Sequence, residues 1–175
     1  MRYLKGGFIK LGTYVPYPHT SFFTKIIFME KTIKIIITTN CIDRYNQLYF
    51  KQHPRAKKAP IRSPQHPSIN TYMTMNNMAR NNLKQRWKDF IVWKINDMGL
   101  SQRQVKKCEI LYRTFFYQNR RHDLDNLSPK FIFDGFVEAG LIPDDDSEHI
   151  TSLTIECGVD KENPRIEFWI TILEE

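Results

Sequence analysis

Hydrophobic and polar positions alternate most regularly near the two ends of the folded region. Between Lys31 and Thr39, Ile33, Ile35 and Ile37 fall to one side, with Lys34 and Ile36 on the other. A period of two predicts a strand, and β-branched residues suit its pleated surface. Ile166, Phe168, Ile170 and Ile172 alternate with Glu167, Trp169 and Thr171, which predicts a strand over 165–173. Another strand is read over 149–157, and the turn-rich stretch Gly158 to Pro164 between these two predicts a hairpin. Residues 106–118 read as a longer strand, with Cys108, Ile110, Tyr112 and Phe115 to Tyr117 breaking strict alternation. Over 74–98 the period becomes three and four. Leu83, Trp87, Phe90, Ile91, Ile95 and Met98 make one apolar stripe, with Thr74 as the N-cap and Gly99 as the stop. A shorter helix over 129–139 carries Ile132, Phe133, Phe136 and Ala139, with Pro129 in its first turn and Gly140 at its end.

Residues 40–70 show no such period and hold Pro54, Pro60, Pro64 and Pro67, which predicts a long connecting loop. Residues 1–28 also lack a period. They read as an extension outside the domain, with Met29 as an alternative start directly before the first strand. The expected order is strand, long loop, helix, strand, helix, hairpin. That is an α/β (α+β) fold over residues 29–175: one mixed sheet of about four strands with two main helices packed on it.

The length of 175 residues suits one domain with a real core, and 41% hydrophobic and 13% aromatic content fits a globular chain. No apolar run approaches the roughly 18 residues that span a bilayer, so no membrane association is expected. Cys41, Cys108 and Cys157 are far apart and odd in number, which predicts reduced, buried thiols in a cytoplasmic protein. Charge is more informative. Residues 1–122 hold 23 of the 26 Lys and Arg, whereas residues 123–175 hold 14 of the 19 acids. A basic body with an acidic end suits an enzyme acting on a polyanion, the bases holding phosphates and the acids a metal. It also suits a merely bipolar, soluble surface.

The acids fall in two groups. Arg120-Arg121-His122-Asp123-Leu124-Asp125-Asn126 is followed some twenty residues later by Asp144-Asp145-Asp146. In an extended stretch Asp123 and Asp125 would share a face, with Leu124 turned to the core. A strand end, a short helix and a return loop are expected to bring Asp144 and Asp145 beside them. Carboxylates that close repel one another, and a hard divalent cation such as Mg²⁺ or Mn²⁺ relieves the repulsion. Bound there, a cation would lower the pKa of a water and draw charge from a phosphodiester. The expected ligands are Asp123, Asp125 and Asp145, with Asp144 as a further ligand or support. Lys130 is expected to offset phosphate charge, and Arg120 and Arg121 to grip the flanking phosphate. Asn126 would orient a carboxylate or cap the 129–139 helix, and His122 would carry a proton or lie on the surface. In the 40–70 segment Lys57, Lys58 and Arg62 are expected DNA contacts. Asn70 is a candidate contact, cap or turn residue.

Asp-Leu-Asp-Asn-Leu, a nearby lysine, Phe-Asp-Gly-Phe and then Ala-Gly-Leu-Ile-Pro-Asp-Asp together resemble the RusA family of Holliday-junction resolvases. The likeness runs in order over roughly residues 68–156 and is sharp over 120–146. It implies a small homodimer that nicks four-way DNA junctions symmetrically with Mg²⁺ or Mn²⁺, without a small-molecule cofactor, in bacteria and their prophages. The family's first two catalytic aspartates match Asp123 and Asp125, its third matches Asp145, and the aspartate before it matches Asp144. The family's lysine falls where Pro129 stands here, one residue before Lys130.

Other chemistries fit less well. An EF-hand loop would need a ligand and a glycine where Leu127 and Ser128 stand. The gap from Asp125 to Asp144 is too short for a haloacid-dehalogenase-like phosphatase, and there is no Walker-type loop or zinc spacing. Three functions follow: a junction-resolving endonuclease, an inactive DNA-binding or scaffold protein of the same fold, or a nuclease acting on flaps or forks.

Overall fold

In the computed structural model, which describes residues 31–65 and 67–175, the most buried strands lie in the middle of one sheet. The elements are β1 (Thr32–Thr38), α1 (Thr39–Gln52), α2 (Ile69–Thr74), α3 (Asn77–Asp97), β2 (Lys107–Phe116), α4 (Lys130–Glu138), β3 (Ile150–Val159) and β4 (Arg165–Glu174). The four strands are ordered β1-β4-β2-β3. β4 is antiparallel to both β1 and β2, while β3 runs parallel to β2, so the sheet is mixed as expected. The register stacks Ile35, Phe168 and Tyr112 in one row and Ile37, Ile166 and Thr114 in the next. These side chains form the inner face and are essentially inaccessible.

The helices cover that face. Trp87, Phe90, Ile91 and Ile95 of α3 are buried, and so are Phe131, Ile132, Phe133 and Phe136 of α4. Phe168 anchors the layers, stacked on Tyr112 at 4.9 Å and edge-on to Phe136 at 5.3 Å. Lys84–Asp134 and Lys88–Glu138 ion pairs bridge α3 and α4 at their solvent margin. Gly99 and Gly140 end their helices at φ of 67° and 70°, conformations that a side chain disfavours.

Four expectations need correction. The 40–70 loop begins with a helix, α1, whose narrow stripe of Cys41, Ile42 and Tyr45 docks on the core, with Thr38 accepting from the Cys41 N–H as its cap. The long helix starts later than read: Asn76 caps it, while Thr74 closes α2 by donating to the Thr71 carbonyl. β3 and β4 are not a hairpin, because β2 lies between them. Their connection arches over the end of β2, where the Asp160 N–H donates to the Phe116 carbonyl. Turn residues mark a reversal of direction and do not specify the strand's neighbour. Finally, Cys41 and Cys108 are buried thiols, but Cys157 is exposed on β3. Burial pushes the Cys108 thiol up to about 11. The expected extension, residues 1–28, lies outside the described residues.

Gly135 lets α4 approach α3. A Cβ there would sit 2.6 Å from Cβ and Cγ2 of the buried, β-branched Ile91. Gly135→Ala is therefore expected to destabilise by about 1–3 kcal/mol through overpacking, despite alanine's better helix propensity. Chemical denaturation measures this. Combined with Ile91→Ala, the loss should be smaller than the sum of the two single losses, since the second change vacates the contested space.

Candidate functional site

The Arg120–Asn126 stretch leaves the C-terminal end of β2. His122 folds back and lays its ring flat on Phe116, with centroids 3.5 Å apart and planes within 5°. This fixes the chain beside the strand end, with Arg120, Arg121 and Asp123 exposed to solvent. Arg121 Nε lies 3.7 Å from Asp123 Oδ1. Asp123 itself is extended, but Leu124–Asn126 form a single 3₁₀ turn closed by the Asn126 N–H donating to the Asp123 carbonyl. With three residues per turn, Asp123 and Asp125 do not share a face as alternate strand residues would. Leu124, expected in the core, is 47% exposed. The local hydrogen bond of the turn prevails over the extended reading. Asn126 does not cap α4, whose start at Pro129 has no side-chain cap.

The second acidic group sits in the loop entering β3. Asp144 Oδ1 accepts from the Asp145 N–H at 2.8 Å, and both carboxylates are exposed. Asp146 has a structural part. Its Oδ1 accepts from the Glu148 and His149 N–H groups and meets His149 Nδ1 at 2.7 Å, and its carbonyl accepts from Ile150 N–H to start the strand. The His149 side-chain contact, helped by those backbone donors, holds the Asp146 carboxyl below its ordinary range.

The register places the two groups at opposite ends of one ladder. Ile150 pairs with Cys108 and Val159 with Phe116. Asp146 is tied to Ile150, and the Asp123 turn is tied through His122 to Phe116. At ~3.3 Å per residue the ladder's ends are roughly 25 Å apart. Among the described residues no three His, Cys, Asp or Glu side chains gather where a metal ion could be held. Asp123, Asp125, Asp144 and Asp145 thus do not converge within one chain as the sequence suggests. A chain on its own does not fit the three-carboxylate Mg²⁺ or Mn²⁺ site. The reason is topological: α4 carries the chain back along β2 before β3 begins.

The bases are spread more widely. Lys57, Lys58 and Arg62 are exposed in the segment after α1. Asn70 is exposed within α2, and the capping role open to it belongs to Ser68, which accepts from the Thr71 N–H. Lys130 begins α4 and lines a small apolar cavity with Pro67, Ile69, Tyr72 and Phe131. Arg86, on α3, lines a larger cavity together with Arg62. Its signal in the sequence was weak, because a basic helix flank is usually only solvated.

No protein-family model and no curated protein matches the chain. Its function therefore rests on these residues and their arrangement. Among the described residues, no helix is long and apolar enough to cross a membrane.

The Asp146–His149 turn has a pH signature. Because the folded-state carboxyl is held below its unfolded value, its contribution is present at neutral pH and is lost as pH falls through the depressed pKa. An NMR titration should place the Asp146 midpoint below that of an ordinary aspartate, and His149→Ala should move it upward.

Proposed function

We propose that the chain is a metal-dependent, structure-selective endodeoxyribonuclease of the RusA kind. It would act in the cytoplasm as a homodimer, resolving four-way DNA junctions by paired nicks. The observation that supports this reading is the place of the motif. Its two carboxylate groups flank the two ends of β3, and β3 is one of the two outer strands of the sheet. Among the described residues nothing pairs with the outer edge of β3. The strand is ten residues long and carries no lysine or proline. Its one acid, Glu156, is occupied by Arg113 at 2.7 Å. Such an edge is a template for another strand.

A second copy related by a two-fold axis would add its β3 antiparallel to the first. That pairing sets the Asp144–Asp146 end of each copy against the Arg120–Asp125 end of the other. Opposite charges then meet, and the carboxylates that one chain keeps apart become neighbours across the dimer. Two such sites, related by the same axis, match two symmetric nicks. Lys130, at the start of α4, would offset charge on the phosphate between them.

Mixing two inactive variants tests the shared site. Asp125→Asn and Asp145→Asn should each abolish cleavage of a synthetic four-way junction in Mg²⁺ or Mn²⁺. Denatured and refolded together, they should regain single nicks from roughly a quarter of the wild-type number of sites, since each mixed dimer rebuilds one intact site. If wild type cuts and the mixture stays dead, the sites are not shared. If wild type binds the junction and never cuts, the second reading stands. That reading is a DNA-binding scaffold of the same fold, favoured by the separation of the acidic groups in a single chain. Cleavage of flaps or forks in preference to junctions, in a substrate panel, would instead identify the third function.

A further inference from the structure

A cavity of about 500 Å³, lined by two arginines, lies between residues 60–65 and 67 on one side and α3 on the other. That volume is within the range of roughly 300–1,000 Å³ typical of small-ligand sites. Its floor is apolar: Ile61 and Trp87 are nearly inaccessible, and Leu83 packs beside them. Arg62 and Arg86 stand on facing walls, and Asn82 lies one helical turn before Arg86 on the same side of α3. Among the described residues no aspartate or glutamate lines it. Arg44, Arg103, Arg113 and Arg165 each meet a carboxylate. Arg62 and Arg86 have no such partner among the described residues, so two guanidinium groups face one apolar hollow with their charge uncompensated. The groove between α1 and α3 is the reverse case, since Asp89 and Glu138 line it and, among the described residues, no lysine or arginine does.

The cavity is linked to the Arg120–Asp125 turn through Gln65. Ser63 Oγ donates to Gln65 Oε1, and Gln65 Nε2 donates to the Phe115 carbonyl at 2.7 Å. The next residue, Phe116, carries the His122 ring that sets Asp123 in place. On its other side Pro67 is shared with the small cavity that holds Lys130.

Resting on the DNA-cleaving reading above, we infer that this cavity holds a single nucleotide turned out of the stack at the branch point, next to the cut. A paired, stacked base cannot enter it, but a base whose stack is already interrupted by the junction leaves most cheaply. The two arginines would grip its phosphate from both sides. The floor takes the face of the base, and the Asn82 amide offers a donor and an acceptor to its edge. The site thus gives the enzyme a means of preferring one base beside the scissile bond.

Photo-crosslinking tests this. Iodouracil is placed at successive positions outward from the branch of a four-way junction, bound to the full Asp125→Asn chain, irradiated, and the adduct mapped by mass spectrometry. Anisotropy reports binding in parallel. One position should crosslink to the peptides spanning residues 60–87. Arg62→Gln combined with Arg86→Gln should cut that yield several-fold while crosslinks to residues 117–130 persist. Adducts that never fall in 60–87 despite junction binding, or that survive the double substitution, overturn the inference and leave the nuclease reading intact. A chain that shows no junction binding by anisotropy overturns both.

Discussion

Parallel pairing of β2 with β3 constrains everything around the acidic motif. Two parallel neighbours cannot be joined by a tight turn, so the chain must travel back before the second begins. Here α4 makes that return journey, packed on α3 through Gly135 and on the sheet through Phe133 and Phe136. Whatever leaves β2 is consequently a ladder's length from whatever enters β3. The spacing of Asp125 and Asp144 in sequence is short, yet they lie at opposite ends of the β2–β3 ladder.

The separation has an electrostatic logic. Carboxylates gathered without a cation raise one another's pKa and oppose folding. Held apart, each acidic group finds local compensation instead. Arg121 lies beside Asp123, the Asp145 N–H donates to Asp144, and His149 with two backbone N–H groups answers Asp146. A single chain can fold with the acids of both groups solvated or satisfied. The strong repulsion, and the need for a divalent ion to relieve it, would arise only where two copies meet.

Local patterns carried much of the fold. The period-two runs of β1 and β4 put Ile35, Ile37, Ile166, Phe168 and Ile170 inside, and the period-three-and-four stripe of α3 buried Trp87, Phe90, Ile91 and Ile95. Glycines marked the helix ends because the backbone turns left-handed there, at Gly99 and Gly140. What escaped depended on partners. α1 buries only three residues, too few to stand out from a polar stretch followed by prolines. Glu167 reads as an outward-facing acid, yet it is 7% exposed, enclosed by Arg165 and Trp169 on the open face. The order of strands could not be read, since the 158–164 turn would look the same whether β4 lay beside β3 or beyond β2. The candidate site failed at the same point. Its residues were legible, but their convergence was a statement about register, which no local pattern contains.

Among the described residues, the outer edge of β3 has no strand beside it. Natural sheets protect exposed edges with charge, proline, short strands or a covering segment. β1, the other outer strand, is shorter, at seven residues, and carries an outward Lys34 over Trp169. β3 has ten residues, most of them exposed, with Leu153 and Val159 among the large apolar side chains open to solvent. The 3₁₀ turn bearing Asp125 lies against this strand without closing the sheet. A strand left so open in a chain with an otherwise well-packed core is better understood as half of an interface than as a defect. An antiparallel mate across that edge would also turn the topological separation of the aspartates into proximity, so one feature of the sheet would account for both the proposed dimer and the proposed site.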